Sequence, residues 1–207
     1  MLQRWFGIKS ASKYAWVVPA VVSLALLLIY FFGNGDNRYS AEIHTLSQTE
    51  NYQRLQIDQP ENYADLEVSA PLSEVTRGQI LNNLSELRAE YKLVGPQVIA
   101  TAEGAHQQTH QLAQTIGGLL AHYNLGQFRA DAKSPTATFD SGDDVIIYTR
   151  PKDASIARGL VESISPLLVG EITLVFNDKL QTGHLLLVVK GEPAYTEEGI
   201  AVFDRAH

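Results

Sequence analysis

The sequence predicts an α+β fold: an N-terminal transmembrane helix, then an extracytoplasmic domain with helices packed on one face of an antiparallel sheet. Three observations predict it. An uncharged apolar run opens the chain, two long stretches of helical periodicity follow, and the remainder alternates between strand and helix spacing. The order helix, strand, strand, taken twice, lets both helices share one face of a single sheet, a ferredoxin-like layer arrangement.

The 207 residues are 45% hydrophobic and 19% charged, which leaves room for one modest domain plus accessory segments. Cysteine is absent, so disulfides, thiolate zinc sites and cysteine nucleophiles are all excluded. That composition fits a bacterial envelope protein that folds without disulfides.

The apolar run comes first. No residue from Tyr14 to Gly35 is charged, and its centre, Ala15 to Phe32, would reach roughly 27 Å as a helix at about 1.5 Å per residue. Trp16 and Tyr30 stand near its two ends, where aromatic rings favour the membrane interface. Pro19 falls early in the helix, where a missing N–H costs least. A cleaved signal peptide would have a shorter apolar region and small residues at its end, whereas this run closes on Tyr30-Phe31-Phe32. Arg4, Lys9 and Lys13 precede the span, and Arg38 is the only Lys or Arg between Asp36 and Glu50. The positive-inside rule therefore places residues 1–13 in the cytoplasm as a tail, 14–35 across the inner membrane, and the rest in the periplasm. All 23 acidic residues lie beyond Gly35, so the exported part is more acidic than the net −7 of the whole chain. Such a surface repels nucleic acid and anionic headgroups, which excludes both as its partners.

Residues 36–70 are polar and weakly periodic, which predicts a stalk. Within them Ser40 would cap a short helix carrying Ile43 and Leu46, and Tyr63–Val68 alternates like a brief strand. The domain proper is expected over 71–207. Ile80, Leu81, Leu84, Leu87 and Tyr91 make a stripe on a helix from Ser73 to about Leu93, capped by Ser73 and stopped by Gly95-Pro96. A second helical stretch is expected from Gln97 to Asn124, with Val98, Ala102, Ala105, Leu112, Ile116, Leu119, Leu120 and Tyr123 on one side and Gly104 as an internal break. Phe128, Ala130 and Ala132 alternate, and Val145–Tyr148 reads as a buried strand. A third helix opens at Pro151 and Asp153, carries Ile156, Leu160 and Ile164, and ends near Pro166. Ile172, Leu174 and Phe176 mark the next strand, Asn177–Gly183 a hairpin loop, and Leu185–Val189 a central strand apolar on both faces. Ile200–Phe203 would add an edge strand.

Residues able to carry chemistry are few. His106 and His110 stand four apart, but Gln107 holds the place of the glutamate that a zinc-protease helix needs, and no carboxylate completes a ligand set. Asp140, Asp143 and Asp144 surround Gly142 without the spacing of a calcium loop, and read as a solvated turn. Arg150, Lys152 and Arg158 flank a helix start whose positive end Asp153 already occupies as cap. No nucleophile elbow, P-loop or dinucleotide fingerprint is present. No cofactor is expected, nor an enzymatic role.

One absence points toward function. Between Glu103 and Arg129 there is no Asp, Glu, Lys or Arg. The back of the second helix carries Gln107, Gln111, Gln114, Gly118 and Ala121, amides and small residues that suit contact with another protein, since charges are depleted at interface cores.

The element order over about Gly104 to Lys190 resembles the periplasmic domains of inner-membrane scaffold subunits in type II secretion and type IV pilus machines. Those proteins also have a short cytoplasmic tail and one span, although here no heptad coiled coil follows the membrane segment. The expected role is a membrane-anchored, non-enzymatic scaffold subunit of a bacterial envelope complex. Its partners would be other envelope proteins or a second copy, with the lipid bilayer met through the span. The first alternative is an extracytoplasmic ligand-sensing or accessory subunit, which would need a pocket between sheet and helices with convergent polar groups; an envelope enzyme without a recognised motif is the third reading. The topology has a direct test: a reporter active only outside the cytoplasm, fused after His207, is expected to be active. Activity of a cytoplasmic reporter at the same site would overturn the orientation.

Overall fold

The computed structural model describes residues 42–48, 51–58, 70–133 and 143–203. The expected tail and transmembrane helix over 1–35, Ser40, the Tyr63–Val68 strand and Asp140 to Gly142 lie outside the described residues. Among the described residues, no helix is long and apolar enough to cross a membrane.

The domain is α/β, with three helices and a nine-stranded mixed sheet. In chain order the strands are β1 (Glu42–Gln48), β2 (Tyr52–Asp58), β3 (Val98–Ala102), β4 (Gly126–Phe128), β5 (Val145–Thr149), β6 (Leu168–Phe176), β7 (Leu185–Val189), β8 (Ala194–Tyr195) and β9 (Ala201–Val202). The helices are α1 (Glu74–Glu90), α2 (Gln107–His122) and α3 (Ala154–Ile164). The main sheet runs β1-β2-β6-β5-β7-β3-β4, with β9 joining β6 and β8 joining β9.

The expected antiparallel sheet is corrected to a mixed one. β5 pairs parallel with β6, and β3 pairs parallel with both β7 and β4. Parallel neighbours need a crossover, and α2 and α3 supply it in the units β3–α2–β4 and β5–α3–β6. Asn177–Gly183 is therefore no hairpin loop: it carries the chain past β5, which lies between β6 and β7. From α2 to β7 the element order is still helix, strand, strand, twice, but the pairing differs from the ferredoxin-like expectation.

Two further expectations change. Residues 42–58 were expected in an irregular stalk with a short helix, yet β1 and β2 form a hairpin whose second strand pairs antiparallel with β6. The single helix expected from Gln97 is a strand followed by a helix. Val98 to Ala102 adds a parallel strand beside β7, and Gly104, at φ +106°, turns the chain before α2 begins. A five-residue apolar run fits either period, and β-sheet partners far along the chain decide it.

The helix starts follow local chemistry. Ser73 caps α1 by accepting from the Thr76 N–H at 3.1 Å, with Glu74 in the first turn and Arg88 in the last. α1 buries Ile80, Leu84 and Leu87, while α3 buries Ala157, Leu160, Val161 and Ile164. The larger core cluster joins these to Leu112, Ile116 and Leu120 of α2 and to alternate strand residues such as Leu55, Ile147, Leu174 and Leu187. On the opposite face a smaller cluster of Ile146, Tyr148, Val175, Leu186 and Val188 contains no helical residue.

α2 sits close on β4. A Cβ added at Gly117 would stand 2.5 Å from the Phe128 backbone nitrogen, whereas one at Gly118 meets nothing within 4 Å. Adjacent substitutions should thus act with opposite sign. Gly118→Ala is expected to stabilise by up to about 1 kcal/mol through helix propensity. Gly117→Ala should destabilise by about 1–3 kcal/mol through overpacking against backbone. Chemical denaturation of both variants checks this; equal effects would mean that α2 does not seat on β4 as described.

Candidate functional site

The outer face of α2 is the candidate site. Gln107, Gln114, Gly118 and Ala121 are exposed and Gln111 is half-buried. At 100° per residue the five fall within an arc of about 80°. The structure thus gathers every residue of the sequence-derived face on one side of one helix. The opposite side buries Leu112, Ala113, Ile116, Gly117, Leu119 and Leu120.

The neutrality of this helix extends to its ends. α1 has an acid in its first turn and a base in its last, but the first turn of α2 has no acid and its last turn has only His122. No side chain caps α2 at His106. The helix is instead held by contacts made from its first turn to distant loops. The Thr109 hydroxyl donates to the Gly191 carbonyl at 2.9 Å, and the Tyr195 hydroxyl donates to the Gln108 carbonyl at 3.2 Å. Burial pushes the Tyr195 phenol from 10.0 up to about 12.

The two histidines do not converge. His106 Nδ1 stands 3.0 Å from a Glu192 carboxylate oxygen, while His110 Nε2 bonds the Gly104 carbonyl at 3.1 Å. Among the described residues, no group of three metal-ligating side chains forms a site. The basic residues around α3 also part company. Arg150 and Lys152 both donate to the Thr182 hydroxyl, at 3.1 and 2.6 Å, and Arg158 turns to Gln53 on β2. Asp153 stands at the N-cap position of α3, as the last residue of the 3-10 turn Pro151–Asp153, but its side chain does not cap the helix as expected: its carboxylate accepts from the Gly183 N–H at 2.9 Å.

The aspartates at 143 and 144 correct another expectation. They are buried, at 4% and 9% exposure, and do not sit in a solvated turn. Asp144 Oδ2 accepts from the Glu171 N–H at 3.2 Å, and its carbonyl accepts from the N–H groups of Lys190 and Gly191. Glu171, also buried, lies 3.2 Å from Arg54 Nε, and Asp143 lies 3.7 Å from Arg54 Nη2. This Arg54–Asp143–Glu171 group was missed in the sequence. Its only signal was a lone acid in the apolar strand Leu168–Phe176. Buried and clasped on Arg54, its two carboxylates suit tying β2, β5 and β6 together.

The chain matches no protein-family model, no curated protein and no solved structure.

The Tyr195 phenol gives a pH test of the α2 anchor. Its folded form favours the neutral hydroxyl, so its contribution to stability is complete below pH 10.0 and is lost as pH rises through about 12. Melting temperature should therefore fall across that window, and Tyr195→Phe should fall less steeply and lose a phenolate-absorbance component near pH 12. Identical profiles for the two proteins would place Tyr195 outside the buried contact.

Proposed function

We propose that this chain is a membrane-anchored, non-enzymatic interaction or scaffold subunit of a bacterial envelope complex. Its N-terminus is cytoplasmic, its span covers 14–35, and its α/β domain projects into the periplasm. The contact surface is the face of α2 formed by Gln107, Gln111, Gln114, Gly118 and Ala121, and the partner is another envelope protein or a second copy.

The observation that carries this reading is an exposed helical face without a charge in a chain of net −7. A solvated helix in so acidic a protein would ordinarily display acids and lysines. Amides cost less to desolvate than charges and can hydrogen-bond across a contact, while the small side chains allow close backbone approach, as an interface core requires. α2 is also fixed at its first turn by Thr109 and Tyr195, so the face is presented rigidly and costs little ordering entropy on association.

Charging the face tests it. Gln107→Glu with Gln114→Lys leaves net charge unchanged, so bulk electrostatics cannot account for an effect. Exposed substitutions shift stability by no more than about 0.5 kcal/mol, whereas charges forced into an interface core cost several times that. The double variant is expected to melt like the wild type yet to lose its complex in detergent pull-downs. Assembly at wild-type strength would remove the basis for the scaffold role.

A further inference from the structure

A cavity of about 290 Å³ lies between the β1–β2 hairpin and α3, remote from the α2 face. We infer that it binds a small zwitterion, and that its ligand class is a free aliphatic α-amino acid. The inference is independent of the scaffold reading and can fail without it.

The walls divide by chemistry. Leu55 and Val161 form a buried apolar floor and Ile43 a half-buried side. Arg158 and Glu162 stand four residues apart on α3, at the solvent side. That spacing puts their side chains about 5–6 Å apart at Cβ, close enough to pair. They do not pair. Arg158 directs Nε and Nη2 to the Gln53 carbonyl oxygen, at 3.2 and 2.7 Å. Gln53 is itself buried at 3% exposure, and its amide donates to the Thr45 hydroxyl at 3.3 Å. The guanidinium is thereby held by two bonds to a fixed partner, with Nη1 left over. Among the described residues, no carboxylate forms an ion pair with Arg158, and no cation forms one with Glu162.

Among the described residues Arg158 therefore has no carboxylate partner although Glu162 stands one turn away, and both charges face solvent at the cavity mouth. A ligand that brings its own carboxylate and ammonium satisfies both groups at once. An α-amino acid carries the two on one carbon, which matches two side chains one helical turn apart. Its side chain would then lie on Leu55 and Val161. The size agrees: about 290 Å³ is at the lower limit of ligand pockets, too small for a nucleotide or cofactor.

Calorimetry and thermal-shift measurements on the full chain in detergent micelles, with L-leucine, L-valine and L-alanine as probes, test the proposal. At least one is expected to bind with Kd below about 1 mM. Isoamylamine and isocaproate, which each lack one charged group of leucine, should bind at least about tenfold more weakly, the equivalent of one charged contact. Glu162→Gln, on an exposed residue, should keep the wild-type melting temperature and lose about tenfold in affinity, and Arg158→Gln should lose as much. Arg158→Lys retains one donor to Gln53, which separates loss of fold from loss of site. Absence of binding by all three amino acids overturns the proposal. So does binding that survives both neutral substitutions, or isocaproate binding as tightly as leucine.

Discussion

Burial of β5 on both faces is the constraint on which the domain depends. Every residue from Asp143 to Thr149 is buried, and β5 is flanked by β6 running parallel and β7 running antiparallel. A strand with a parallel neighbour cannot be reached by tight hairpins alone. The parallel neighbour demands a helical crossover, which is α3, and the antiparallel neighbour demands a loop that passes over a strand, which is Asn177–Gly183. The second parallel set, β7 with β3 and β4, then needs α2. Both crossovers belong to the larger core, so the helices gather on one face and leave the smaller cluster around Tyr148 on the other. Asp143 and Asp144 are buried for the same reason: they are the lead-in of the central strand.

How much of this was legible in the sequence depends on how far each signal reaches. Ser73 caps α1 through its own third neighbour, Thr76, and the stripe Ile80–Leu84–Leu87 needs only helical geometry; both were readable locally. β5, β6 and β7 were readable because their short apolar runs are bounded by turn residues, as Asn177–Gly183 bounds Leu168–Phe176 and Leu185–Val189. β3 was not, because Val98–Ala102 continues in phase with the stripe of α2, and only pairing with Leu185–Val189 fixes it as a strand. β2 hid for a different reason. Its inward face is Gln53, Leu55 and Ile57, and a buried glutamine breaks the apolar alternation. That glutamine is buried because Arg158, more than a hundred positions away, supplies its partner. The side of α2 on which Gln107, Gln111, Gln114, Gly118 and Ala121 fall follows from its periodicity alone, but the strand order beside it was beyond any local pattern.

Polar burial follows one economy throughout the domain. Asp144 and Asp153 spend their carboxylates on backbone N–H groups of Glu171 and Gly183, fixing loops that no sheet bond reaches. Arg54 stands between Asp143 and Glu171, with its own guanidinium over the Tyr52 ring at 5.6 Å. Removing one partner of such a group leaves a buried charge exposed to low dielectric, which costs far more than the net worth of the pair. These residues therefore specify register between β2, β5 and β6, and the surface is free of that duty. The neutral α2 face is therefore free to vary without endangering the fold, whereas Arg158 at the cavity also supplies the partner of buried Gln53.

The separation of those features sets what they can do to each other. The cavity belongs to the β1–β2 edge of the sheet and α2 to the β3–β4 edge, with β6, β5 and β7 between them. At 4.7–4.9 Å per strand the two edges are about 20 Å apart or more, well outside direct contact. α1 is the one helix that touches both α2 and α3. A ligand in the cavity could influence assembly only if it bound two arrangements of α1 with different affinity, since equal affinity shifts nothing. α1 packs through Leu84 and Leu87, both buried, and a Cβ added at Gly159 of α3 would stand 2.6 Å from a Leu87 methyl carbon. The glycine thus lets the Leu87 side chain pack directly on the α3 backbone. With that separation, substitutions at one surface are expected to add to, not modify, the effects of substitutions at the other.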